Sequence, residues 1–183
     1  MRSREKILAA TIGLIRNGGF EKVSIAAVAS AAQVTRQTVY SNFGSLETLT
    51  SQALAGVAAA AMADIRTHLG SARTPTEYVV EMIVAGRAMV RADPVLALLV
   101  SADRSNPLFD TEMMTRALPV VREMLAPLAR IDPELERTVG DIAQIAYRLA
   151  LSVVLFDDES IHSDDDLRAF LTRWLSPALS AMS

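Results

Sequence analysis

The stretch from Thr35 to Leu49, TRQTVYSNFGSLETL, holds the side chains best suited to recognition chemistry in this chain of 183 residues. At about 100° per residue around a helix, Val39 and Phe43 share one side, and Val34 just before them covers their end. Gln37 and Ser41 then point away from that apolar side, Thr38 stands beside them, and Arg36, Tyr40 and Asn42 flank the strip. A glutamine amide both donates and accepts hydrogen bonds, as an adenine edge requires, and a threonine methyl can meet the methyl of thymine. Thr35, Tyr40 and Asn42 suit phosphates, which position a protein on the duplex without specifying a sequence. Arg36 and Ser24 complete the set expected to touch DNA.

The elements around this strip must hold it outward. Ile25, Val28, Ala29 and Ala32 follow the i, i+3, i+4, i+7 spacing of a short helix that Ser24 is placed to cap. A turn of about three residues separates it from the next helix, capped by Thr35. Two short helices joined so tightly form a helix-turn-helix, whose second helix enters the major groove. A first helix, from about Ser3 to Asn17, buries Ile7, Leu8, Ile12 and Ile15 and stops at Gly18–Gly19. Ser45 starts a long fourth helix running through Leu49, Ala53, Val57 and Ala61 toward Leu69. Its alanine-rich centre predicts close approach by a neighbouring helix.

Charge supports a nucleic-acid partner at this end. The chain carries a net charge of −3, yet residues 1–52 hold six basic and three acidic side chains, leaving 12 basic and 18 acidic beyond them. A basic head on an acidic body concentrates phosphate attraction where the strip lies. With no cysteine, disulfides, zinc fingers and thiol catalysis are excluded together. The longest uncharged apolar run, Ala53–Ala63, is far short of the roughly 20 residues of a membrane span, and Ile7–Ile15 is amphipathic rather than a signal-peptide core. A cytoplasmic protein without a membrane partner is expected. Arginine outnumbers lysine 16 to 2, a usage typical of GC-rich bacterial genomes.

Beyond Gly70 the start signals are explicit. Thr74-Pro75-Thr76-Glu77 supplies an N-cap, a first-turn proline and a capping-box glutamate. Asp93-Pro94, Asn106-Pro107 and Asp132-Pro133 repeat the cap-then-proline signature. Pro119 and Pro127 should kink or divide the segment Asp110–Arg130, and two final helices are expected over Pro133–Phe156 and Asp164–Met182. No strand alternation or phosphate-binding glycine loop is visible, so the fold class is all-α. The acidic run Asp157-Asp158-Glu159 … Asp164-Asp165-Asp166 lacks the spacing of a calcium loop. Asp164–Asp166 instead suit a helix first turn, where negative charge offsets the macrodipole. His68 and His162 have no nearby second ligand or nucleophile, so no metal, cofactor or enzymatic chemistry is expected.

Two further sites fall in the body. Tyr78, Met82, Met89, Phe109, Met113 and Tyr147, with Met114 and Met124, could line an adaptable apolar pocket. Arg87 and Arg148 interrupt apolar helices and must reach solvent or pair, with a ligand anion or with Asp141 or Glu81. Ile145, Leu149 and Val153 form one apolar stripe and Leu167, Phe170, Leu171, Trp174 and Leu175 another. Two copies could pack these stripes as a four-helix bundle, with Trp174 as the central anchor of a homodimer.

The N-terminal third resembles the TetR family of bacterial transcriptional regulators. The residues carrying the resemblance are Ile7-Leu8-Ala9-Ala10, Gly19-Phe20, Val23-Ser24-Ile25, Val34-Thr35-Arg36, Val39-Tyr40, Phe43 and Ser45-Leu46-Glu47-Thr48-Leu49. The resemblance spans about residues 4–50 and implies a three-helix DNA-binding head over 1–50. An effector-binding and dimerisation body would occupy 51–183. It further implies a homodimeric repressor on a pseudo-palindromic operator, released when a small-molecule effector shifts the fourth helix. Two positions depart from the pattern. Gln33 stands where the turn usually has glycine, and Leu46 where the family has a lysine resembling a phosphate contact. The alternative reading is therefore a ligand-independent regulator or protein-interaction module with a weakened DNA-binding head.

Overall fold

The computed structural model describes residues 2–100, 113–156 and 161–182. The first helix, α1 (Arg2–Gly18), stops where Gly19 takes a φ of 70°. A single 3₁₀ turn, Phe20–Lys22, leads to α2 (Ile25–Ala32), α3 (Arg36–Phe43) and α4 (Leu46–Leu69). Each of these three helices opens on a hydroxyl. Ser24 Oγ accepts from the Ala27 N–H at 3.1 Å, Thr35 Oγ1 from Thr38 at 3.1 Å, and Ser45 Oγ from Thr48 at 3.0 Å. Such a cap satisfies an otherwise unpaired first-turn donor and stabilises the helix by about 1 kcal/mol.

The turn between α2 and α3 adopts the conformation expected of it. Gln33 sits in the left-handed region (φ 56°, ψ 45°), and its N–H donates to the carbonyls of Ala29 and Ser30. The Val34 N–H closes on Ala29 O at 2.9 Å. A glutamine in this region costs about 1 kcal/mol relative to glycine. That is small beside the head core it allows to close: Ile7, Val28, Ala29, Ala32, Val39, Phe43 and Leu49.

The body comprises α5 (Pro75–Ala92), α6 (Pro94–Val100), α7 (Met113–Leu125), α8 (Leu128–Ile131), α9 (Val139–Leu155) and α10 (Asp164–Ser180). Through its middle runs α5, packed against α10, α9, α4 and α6. Its cap is Thr74 Oγ1, which accepts from Glu77 N at 3.1 Å, whereas the Glu77 carboxylate reaches back to Arg73 N at 2.7 Å. A full capping box forms at α10, where Ser163 and Asp166 satisfy each other's backbone donors. Among the described residues there is no β-strand, and no helix is long and apolar enough to cross a membrane.

Several boundaries differ from the sequence expectation. Pro119 lies inside an unbroken α7, and only Pro127 makes a break, before α8. The helix expected from Pro133 opens as a 3₁₀ turn, Pro133–Arg137, because Asp132 Oδ1 caps Glu134 N at 3.1 Å; α9 starts only at Val139. Asp110, Asn106-Pro107 and Asp157-Asp158-Glu159 lie outside the described residues.

The second apolar stripe is also corrected. Leu167, Leu171 and Leu175 are buried in the subunit's own core with Val79, Ile83, Ile142 and Ala146, and Leu149 and Val153 pack partly against it. The leucines of α10 face α5, so one subunit suffices to cover them. Ile145, Phe170 and Trp174 remain in solvent, Trp174 with 67% of its surface exposed. A third apolar cluster joins head to body: Ile15 of α1, Leu54 of α4 and Val95 of α6, with Ile12, Phe20, Val57, Leu98 and Leu99 against them. Beside it the Arg16 guanidinium pairs with Asp93 at 3.2 Å.

Candidate nucleic-acid interface and effector cavity

The reading helix is held by its buried side. Val39 is fully buried and Phe43 nearly so, which turns Gln37, Ser41, Arg36, Tyr40 and Asn42 into solvent. Part of this polar surface is tied back to the helix. Thr35 and Thr38 share a hydroxyl hydrogen bond of 2.8 Å, and the Thr38 carbonyl accepts from Ser41 Oγ at 3.0 Å and Asn42 Nδ2 at 2.8 Å. With its hydroxyl engaged, Thr38 offers chiefly its methyl, the Ser41 donor must leave the helix to reach DNA, and Asn42 keeps one amide N–H to offer. Among the described residues, Arg36 and Gln37 make no side-chain hydrogen bond, so their donors stay available.

Arg4 joins this surface from another element. Its guanidinium lies 5.2 Å from the Phe43 ring centroid and donates to Gln52 Oε1 at 2.6 Å. Neither partner is charged, so the arginine keeps its full charge beside the α3–α4 turn. Leu46, where a lysine resembling a phosphate contact was expected, opens α4 half-buried. The sequence carries Arg4's type but not its place, because Phe43 and Gln52 lie 39 and 48 positions away.

A cavity of about 530 Å³ opens in the body between α4, α5, α6, α7 and α9. Ala55, Ala58 and Ala61 line it from α4, which also packs on α5 and α6. Met89 faces it from α5, Leu96 and Leu99 from α6, Arg116 from α7, and Tyr147 from α9. Burial pushes the Tyr147 hydroxyl above its ordinary pKa, and the charge of Arg116 offsets part of that rise.

Of the expected pocket residues, Met89 and Tyr147 are thus in the lining, and four others are elsewhere. Tyr78 is buried, donating to the Met124 carbonyl at 2.8 Å, and burial raises its pKa against the opposing charges of Arg130 and Arg66. Met82 belongs to the central core. Arg87, only 3% exposed, reaches Asp164 at 3.4 Å and the Ile161 carbonyl at 3.3 Å, fastening the approach to α10. It pairs with neither Asp141 nor Glu81; Glu81 is held by Arg168 at 2.6 Å and His68 at 3.1 Å. Arg148 is exposed and bonds one turn back to Gln144. Phe109 and the Met113 side chain lie outside the described residues. Arg116 and the alanine face of α4 went unread. The available signal was Ala55, Ala58, Met62 and Ile65 at helical spacing, with the smallest residues at one end.

A helix-turn-helix head with a polar reading strip, set on a hollow helical body, defines a DNA-binding regulator with room for a small molecule. Residues 7–53 match the profile of the bacterial regulatory proteins of the tetR family. The N-terminal third therefore matches the DNA-binding region of the TetR family of transcriptional regulators. No curated protein sequence matches the chain.

Solved structures share the fold along almost the whole length. The TetR family repressor AlkX from Dietzia sp. strain DQ12-45-1b superposes with a TM-score of 0.62, covering 97% of this chain and 95% of its own at 21% identity. FadR from Bacillus subtilis, solved with stearoyl-CoA, gives 0.55 over 92% and 97% at 13% identity. AibR, solved with isovaleryl coenzyme A and operator DNA, gives 0.51 over 94% and 96% at 15% identity. At these identities the likeness is one of fold.

Proposed function

We propose that this protein is a homodimeric, ligand-responsive repressor of transcription, with a DNA-binding head over residues 1–50 and an effector-binding, dimerising body over 51–183. The observation that carries the reading is α3. It is capped by Thr35, anchored by Val39 and Phe43, and presents Gln37 and Arg36 outward from a basic head of the TetR type. In this reading Gln37 and Thr38 meet base edges. Phosphate is held by Ser24, Thr35, Arg36, Tyr40, Ser41 and Asn42, with Arg4 added from α1. Two heads would enter successive major grooves about 34–36 Å apart on a pseudo-palindromic operator.

Dimerisation is assigned to Ile145, Phe170 and Trp174, the part of the final two helices left in solvent. The cavity is assigned to the effector, a role supported by the acyl-coenzyme A ligands of the similarly folded FadR and AibR. Because α6 lines the cavity with Leu96 and Leu99 and packs on α1 through Val95, a ligand that favours a displaced α6 also disfavours the DNA-bound head. The test is capture of fragmented genomic DNA by the full chain, followed by binding to the recovered sequences. Recovery of a shared palindrome bound at least 10³-fold more tightly than random DNA is expected. Equal binding to both would overturn the reading.

A further inference from the structure

We propose that Asp93 is a positioning residue for operator binding: paired with Arg16, it fixes the rotation of the head on the body. The proposal rests on the two-headed reading above and names the joint that sets how the heads are presented. The charge of Arg16 serves this joint rather than a DNA phosphate.

Asp93 is the single residue between α5, which ends at Ala92, and α6, which starts at Pro94. Its backbone closes one helix and opens the next. The N–H donates to the Met89 carbonyl at 3.0 Å, and the carbonyl accepts from Ala97 N at 3.0 Å. Its carboxylate is divided between two tasks. Oδ1 accepts from Val95 N at 2.8 Å and caps α6, whereas Oδ2 accepts from the Arg16 guanidinium of the head at 3.2 Å. Pro94 keeps the join extended, with φ −115° and ψ 114° at Asp93. One side chain thus sets where α6 starts and ties that start to α1.

The surroundings show what the tie adds. Arg16 lies in the last turn of α1, next to Ile15, which packs with Leu54 and Val95 across the seam between head and body. Ile15 and Val95 are fully buried, so this cluster holds the two parts together. Apolar attraction is non-directional, however, and one such patch restrains rotation about itself only weakly. A charge-assisted hydrogen bond beside the patch is directional and supplies that restraint. A cation in this turn also suits the α1 dipole, but that holds equally with the guanidinium turned to water. Here it is turned to Asp93. Rotation matters because two heads must meet grooves about 34–36 Å apart.

The test uses the full-length protein, the recovered palindrome, single half-sites cut from it, and palindromes whose spacer is one or two base pairs longer or shorter. Asp93→Asn retains an oxygen able to cap Val95 but loses the charge that holds Arg16. Asp93→Asn and Arg16→Gln should each weaken binding to the recovered palindrome about two- to thirtyfold, one partly exposed ion pair being lost in each of two heads. Binding to the altered spacers should fall less, so the preference for the recovered spacing flattens. Single half-sites should be bound as by the parent, with the same salt dependence. The double variant should be no weaker than the weaker single one, and Arg16→Lys, which keeps the charge, should recover most of the preference. Urea unfolding checks that each variant is folded.

An unaltered spacing preference in both single variants would overturn the proposal. So would the signature of a phosphate contact, in which Arg16→Gln flattens the salt dependence by about 0.9 per head and Asp93→Asn, by freeing the guanidinium, tightens binding. A loss on single half-sites as large as that on the palindrome would overturn it too, since one head alone has no partner to be oriented against. A parent protein that recovers no palindrome, or binds every spacing alike, refutes the two-headed reading itself and the joint with it.

Discussion

Gln37 and Tyr40 are three residues apart on α3 and are assigned different work. An amide bonded to a base edge discriminates between bases, whereas a phenol on a phosphate meets the same group at every step. Gln37→Ala should therefore relax base preference at one position per half-site by about 1–3 kcal/mol, while Tyr40→Phe weakens binding evenly across sequences. Binding measured against a set of single-base operator variants separates the two patterns. Arg4 and Leu46 make a second pair. Arg4→Gln should flatten the dependence of log affinity on log salt by about 0.9 per lost phosphate contact, and Leu46→Lys should steepen it by a similar amount. Unchanged slopes in both variants would place neither residue near the DNA backbone. Ser24, Thr35 and Ser45 could be read as caps because a cap is decided within three residues. Arg4 could not, because its place depends on how α1 lies across α3 and α4.

At the scale of elements, helical periodicity marked apolar sides without saying which neighbour covers them. Leu167, Leu171 and Leu175 repeat at helical spacing, and Phe170 and Trp174 stand one residue round from the stripe; the fold buries the leucines and leaves both aromatics outside. Only the position of α5 decides between these outcomes. The same pairing of α5 with α10 is clamped by charge. Burial alone would raise the pKa of the Glu81 carboxyl, but the hydrogen bonds from Arg168 and His68 outweigh it and hold it below the ordinary 4.5. A carboxyl depressed in the folded state adds stability above its unfolded pKa and loses it as pH falls through the folded value. Glu81→Gln should thus cost about 1–2 kcal/mol at pH 7, and the gap to the parent protein should close as pH falls through the folded value. Urea unfolding of the two proteins at pH 7 and pH 3 checks this; an equal gap at both values would mean that the clamp contributes nothing.

For the whole molecule, the separation of charge and the open aromatic face give the two ends different partners. In the proposed reading the basic head meets a polyanion, and the acidic body meets a second copy through its exposed apolar surface. Trp174→Glu would place an unpaired charge in that seam and should yield folded monomers, because Trp174 lies outside the subunit core. These monomers should bind a palindromic site poorly despite intact heads, since the half-sites no longer act together. A stable dimer of Trp174→Glu in analytical sedimentation would move the interface elsewhere.

Trp174 is also the one tryptophan of the chain, and in the isolated subunit two thirds of it faces water. Its indole therefore reports on its own surroundings without any label. If the bodies pair through this face as proposed, dilution through the dissociation range releases the indole into water and moves its emission to longer wavelength, while helical circular dichroism stays constant because α10 is already complete within one subunit. A single fluorescence curve against concentration thus measures assembly apart from folding. Repeated with operator DNA or a small molecule added, the same curve reads how strongly each is linked to pairing of the bodies, from a side chain outside the reading helix and the described cavity lining.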